Sequence, residues 1–149
     1  MDKLIKAMTL AASKIGVKEL TGNNDGPFIN EVMRLTGLDN QKQYETTGKG
    51  YAWCAAFVSW VLYGAGAQVK PNAWAPAWFP ESKLVKDGKY RPMDVAAINF
   101  NNVINGHVFF IFYWPEDGDT FVSLDGNWGN VVGLNIRKKA DVSAVSRWI

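Results

Sequence analysis

The hydrophobic residues of this chain change their spacing once, near Tyr90, and that change fixes the order in which helices and strands must be made. Ahead of it the spacing is helical. Leu4, Ile5, Met8, Ala12 and Ile15 predict an opening amphipathic helix. A turn at Asn23-Asn24-Asp25-Gly26 follows, and Pro27 suits the first position of a second helix with Phe28, Ile29, Val32 and Met33 on one face and Gly37 as its stop. A polar loop is expected from there to about Gly50. A third predicted helix begins near Ala52, carries Phe57, Val58, Val61 and Leu62 at matching offsets, and ends at Gly64 and Gly66. Small residues Ala55, Ala56 and Ser59 leave room on it for a close neighbour. Residues 71–80 hold three prolines among Trp74, Trp78 and Phe79, which reads as a surface loop.

Beyond Tyr90, the segments 94–100, 106–114, 120–126, 131–137 and 142–149 are rich in β-branched and aromatic residues and are divided by Gly, Asn or Asp. Helices first and strands second imply an α+β fold, N-terminal helices packed on a C-terminal antiparallel sheet of about five strands. With 149 residues the chain suffices for one core and is short for two, so residues 1–149 are expected to form one domain.

Charge excludes one class of partner. Sixteen Lys and Arg against 14 Asp and Glu leave a net charge of +2, and the densest basic run is only Arg137-Lys138-Lys139. No nucleic acid is expected. The apolar content of the first 16 residues is interrupted by Lys6, Thr9 and Lys14, so they read as a helix of the domain and not as an export signal, and no segment is apolar for long enough to insert stably in a membrane.

The single cysteine, Cys54, cannot close an intramolecular disulfide. It is either an inert core thiol or a reactive one. Its place in the first turn of the third predicted helix favours the thiolate, because unsatisfied backbone N–H groups and the helix dipole stabilise an anion there. The single histidine, His107, opens the apolar run Val108-Phe109-Phe110-Ile111-Phe112 and is the one imidazole available as its base. Strand alternation sets Phe121, Ser123, Asp125 and Asn127 on one face. Closing the hairpin between residues 114 and 120 allows two registers: the shorter puts Asp125 opposite His107, the longer puts Asn127 there. Either would lay a polar group beside the imidazole, although Asp-Gly-Asn is equally a turn ending a strand. One Cys and one His are too few for a usual zinc site, and the turns at residues 23–25 and 116–119 lack a full calcium loop. No metal and no cofactor are expected.

In order along the chain, Trp53-Cys54-Ala55-Ala56-Phe57-Val58, Gly106-His107-Val108 and Asp125-Gly126-Asn127 resemble the CHAP group of cysteine, histidine-dependent amidohydrolases and peptidases, which are papain-like in fold. Ile15-Gly16-Val17-Lys18-Glu19 with Asn23-Asn24-Asp25-Gly26-Pro27 is similar to the lead-in of a branch found in phages and bacteria. The resemblance implies Cys54 as nucleophile, His107 as base, Asp125 as orienting acid and Asn127 as a further polar member of the site. The family more often has Glu where Asp125 stands, and Met93 replaces the glycine that usually precedes an aspartate like Asp94.

The same resemblance implies a hydrolase acting on peptidoglycan peptide, either at the bond between lactoyl sugar and L-alanine or within the stem or cross-bridge. Trp53, Trp74, Trp78 and Trp128 are the expected substrate contacts, and the chain is expected to be a monomer. A protein made without a signal peptide would reach the wall by phage-type release or by injection. Two alternatives keep the same fold: a wall-binding module without catalysis, and a cysteine protease or deamidase acting on protein.

Overall fold

The structure, a computed structural model, describes residues 2–98 and 106–149. Four helices come first: α1 (Lys3–Ala12), α2 (Pro27–Leu35), α3 (Asn40–Thr47) and α4 (Cys54–Gly64). Two 3₁₀ turns, Ala75–Trp78 and Glu81–Lys83, lead to the strands β1 (Val95–Ile98), β2 (His107–Tyr113), β3 (Thr120–Trp128), β4 (Val131–Lys138) and β5 (Val142–Ser146). All neighbouring strands are antiparallel, in the order β4-β3-β2-β1-β5. The α+β reading therefore holds, with five strands.

The helix that positions the rest is α4. Its Ala55, Ala56, Phe57, Val58, Val61 and Leu62 are all wholly buried, and such a spread of apolar positions around the axis makes it a core helix enclosed on most sides. It packs on α1 and α2 on one side and on Val108, Phe110 and Leu124 of the sheet on the other. Burying a large apolar side chain such as Phe57 or Leu62 stabilises the fold by roughly 1.5–3 kcal/mol. The opposite face of the sheet holds a second, smaller cluster of Phe109, Ile111 and Phe121 with Ala96 and Val145.

Gly126 lets α4 lie close to β3. A β-carbon there would stand 2.6 Å from both Cβ and Cγ of Phe57. No side chain but hydrogen fits in that gap.

Three expectations need correction. The polar stretch before Gly50 contains α3, whose N-cap Asp39 accepts from the Lys42 N–H at 3.0 Å; it lacks an apolar stripe because only Asn40 is buried. The opening helix buries Ala7 and Ala11, whereas Ile5 and Ile15 are exposed. Residues 71–80 are no simple surface loop, since Ala75, Trp78 and Phe79 enter the core and the Trp78 indole packs edge-on against Trp148 at 5.2 Å. The end of the predicted first strand, residues 99–100, lies outside the described residues.

Candidate active site

Cys54 is the first residue of α4, and its N-cap, Trp53, offers no side-chain hydrogen bond to the helix. The first-turn N–H groups thus keep their positive field for whatever sits at the helix mouth. The thiol is 8% exposed, nearly covered but not sealed. Burial pushes its pKa up; the hydrogen bond from His107, the imidazole charge and the N–H groups of Val108 and Ala55 outweigh burial, and the thiol is held below its ordinary value. Sulfur and imidazole are therefore direct partners.

His107 begins β2 at the buried end of the strand and keeps 8% exposure. Its Nε2 lies 2.8 Å from Asp125 Oδ1, which leaves Nδ1 for the sulfur. The ring is held between Phe109, stacked at 5.7 Å, and Trp128 at 5.0 Å. Burial works against the imidazolium, but the hydrogen bonds and charges of Asp125 and Cys54 win, and the pKa of His107 is raised.

The hairpin resolves the two possible registers. Phe110 pairs with Leu124 and Ile111 with Ser123, which is the longer one, while an irregularity between Ile111 and Tyr113 shifts the pairing nearer the turn. Continued to the strand's start, that ladder would set Asn127 opposite His107. Asn127 has left the strand conformation, with φ of 62°, and the ring instead reaches diagonally to Asp125.

Asp125 is wholly buried and saturated with donors. Oδ1 accepts from His107 and, at 2.6 Å, from Nη2 of Arg137; Oδ2 accepts from Asn135 Nδ2 at 2.9 Å and from the Ser123 hydroxyl. Burial pushes the carboxyl up, yet His107, Arg137 and Ser123 bring it below the usual carboxylate range. Arg137 also donates from Nε to Ser123 Oγ at 2.9 Å. Sequence reading set Ser123 on the face of Asp125 without a role and missed Asn135 and Arg137. Alternation along β4 places Asn135 and Arg137 on one face, and the pairing Ser123↔Asn135, Phe121↔Arg137 brings them to the acid; the sequence held the alternation but not the pairing.

Asn127 belongs to a neighbouring network. With its Nδ2 toward the carboxylate it donates to Glu19 Oε1 at 3.0 Å and accepts from the Trp53 N–H at 3.3 Å. Glu19, also missed, is buried and accepts from Trp53 Nε1 at 2.8 Å and from the Asn24 N–H at 2.9 Å. Asn40 ties this network to the residues before the nucleophile, donating to Asn24 O and accepting from the Tyr51 N–H. The structure thus brings Cys54, His107 and Asp125 together and sets Asn127 beside the backbone that leads into Cys54.

Of the four expected substrate tryptophans, Trp53 is wholly buried and Trp78 is 2% exposed, so neither presents a face to a ligand: one indole is bound to Glu19, the other to the Asn72 carbonyl. Trp74 and Trp128 are open, at 58% and 44%. Trp74, Tyr51, Ala52, Lys70 and Asn72 line a groove of about 560 Å³ beside the start of α4. Among the described residues no group of three or more His, Cys, Asp and Glu is placed to hold a metal. The Asp25 carboxylate is turned inward to the N–H and hydroxyl of Thr21.

The profile of the CHAP domain matches residues 46–127, more than half of the chain and a span that includes Cys54, His107 and Asp125. The chain belongs to the CHAP domain family. No curated protein sequence matches it. Among solved structures, this CHAP domain is similar to the peptidoglycan hydrolase RipB from Mycobacterium tuberculosis, with a TM-score of 0.61 and 16% identity over 97% of this chain and 64% of that one. It is also similar to NlpC1 from Trichomonas vaginalis, with a TM-score of 0.52 and 18% identity over 99% of this chain and 44% of the other. The chain thus spans less than two thirds of either neighbour. At such identities the likeness shows the fold, which is the papain-like one.

Proposed function

We propose that this CHAP domain is a peptidoglycan hydrolase that cleaves an amide or peptide bond of the bacterial wall with Cys54 as nucleophile. The observation that carries the reading is the hydrogen-bonded relay from a helix-terminal thiol through one imidazole to a buried carboxylate. Membership of the family and the fold shared with RipB, itself described as a peptidoglycan hydrolase, support the substrate class.

The chemistry follows from the shifted proton affinities. A lowered thiol and a raised imidazole favour the thiolate–imidazolium pair. The thiolate attacks the scissile carbonyl, a C–S bond forms, and the charge moving onto oxygen meets the N–H groups at the start of α4. Collapse breaks the C–N bond as His107 protonates the departing amine. His107 then takes a proton from water, which attacks the thioester and returns the thiol with a free carboxylic acid. Asp125 fixes the imidazole so that Nδ1 faces sulfur throughout. Asn127 acts indirectly, by holding Glu19 and the Trp53 N–H and so the backbone ahead of Cys54.

The groove along Tyr51, Lys70 and Trp74 is assigned to the peptide, and Trp128, whose half-open ring contacts the imidazole, is a second contact. The bond cut is either the lactoyl–L-alanine amide or one within the stem or cross-bridge. Digestion of purified walls with wild type and Cys54→Ala, followed by mass spectrometry of the released fragments, tests the reading. New amino termini from wild type alone are the expected result, and equal release by the variant would end it.

A further inference from the structure

Arg137 is the least expected member of the site. Its side chain is only 8% exposed, and it puts a permanent positive charge on the carboxylate oxygen that also serves His107. Two aromatic rings contact both cations. The guanidinium carbon lies 4.6 Å from the Phe109 centroid and 4.2 Å from that of Trp128, and both rings also contact the imidazole. Carboxylate and rings thus form a frame that His107 and Arg137 share.

That frame does two things an acid alone would not. Nε on Ser123 and Nη2 on Asp125 lock the carboxylate plane from a second direction, so its orientation does not depend on His107. The guanidinium also draws part of the field of Asp125 and repels an imidazolium, which limits how tightly His107 holds its proton. The charged and titratable groups facing His107 are Cys54 from α4, Asp125 from β3 and, through that acid, Arg137 from β4. A base held too high would keep the proton that the leaving amine needs.

We infer that Arg137 is a positioning residue of the site: through Asp125 it fixes the orientation of His107 and lowers its proton affinity toward the range that acyl transfer uses. The inference deepens the proposed hydrolase function and rests on its thiol–imidazole pair.

The test uses the fact that the chain has one histidine. In a Cys54→Ala background the ring ¹⁵N and ¹H signals of His107 are titrated by NMR with Arg137 intact, with Arg137→Met and with Arg137→Lys. Removing the charge is expected to raise the titration midpoint by about one pH unit, a roughly tenfold gain in proton affinity, as for loss of a like charge at this range. Lysine restores charge without the fork, so its midpoint should fall back toward wild type while the Nε2–H resonance at Asp125 broadens. An unchanged midpoint in a folded Arg137→Met protein, or the same midpoint for Met and Lys, would overturn the inference. Should Arg137→Met fail to fold, Arg137→Gln against Arg137→Lys gives the same comparison. Wall digestion is not the readout, so failure of the hydrolase reading and failure of this one are separate results.

Discussion

Gly126→Ala is the sharpest perturbation the structure offers, because it adds one methyl group at a place where helix and sheet touch. The new β-carbon would sit 2.6 Å from Cβ and Cγ of Phe57, whereas carbon atoms rest at about 3.5–4.0 Å. Relief requires about 1 Å of separation, and neither atom is the free end of a flexible chain, so α4 and β3 must part. Overpacking of this kind costs about 1–3 kcal/mol, which for a domain of this size lowers Tm by roughly 2–12 °C. Function should suffer more than stability. Cys54 rides on the displaced helix while His107 and Asp125 stay with the sheet, and a misplacement of about 1 Å at reacting groups lowers the rate by about 100-fold. Thermal unfolding and wall digestion on the same preparations measure both effects. A variant with unchanged Tm and full activity would refute the claim that this contact sets the distance between sulfur and imidazole; a Tm loss that Phe57→Leu partly restores in the double variant would support it.

Alkylation of Cys54 with iodoacetamide should follow a midpoint below the usual thiol value of about 8.5, since a lowered pKa keeps the thiolate populated to lower pH than in an ordinary cysteine. In His107→Ala, whose thiol loses its largest favourable partner, the midpoint should rise above that of wild type; coincident curves would deny the coupling. Glu19→Ala leaves the buried indole N–H of Trp53 and the Asn24 N–H without their acceptor, a loss of about 1–3 kcal/mol per group, measurable by urea unfolding; a change within about 0.5 kcal/mol would show that water replaces the carboxylate.

What the sequence made legible was what depends on local spacing. The apolar offsets of Phe57, Val58, Val61 and Leu62 set the helix, and with it the position of Cys54 in its first turn. The strand run after His107 was equally plain, and the alternation in β3 put Asp125 and Ser123 on one face. The partner of His107 was not, because the choice between Asp125 and Asn127 turns on an irregularity in β2 and a left-handed residue in β3, and neither is written in hydrophobic pattern. α3 escaped because Asn-Gln-Lys-Gln-Tyr-Glu-Thr-Thr has no buried stripe to betray a helix. Trp53 and Trp78 were assigned to the groove by residue type alone; whether a tryptophan faces solvent depends on whether its N–H finds an acceptor inside, and Glu19 and the Asn72 carbonyl are distant in sequence from any such clue. Arg137 looked like one of three basic residues on a surface, since its acid and its two aromatic neighbours lie on other strands.

The sulfur belongs to the helical layer and the imidazole to the sheet, so the reactive pair exists only where the two halves dock. A ribosome releases the cysteine well before the histidine, and in the growing polypeptide that thiol is an ordinary, mostly protonated one. Chemical competence thus requires the docked state, which makes thiolate reactivity a direct gauge of whether the two layers are joined.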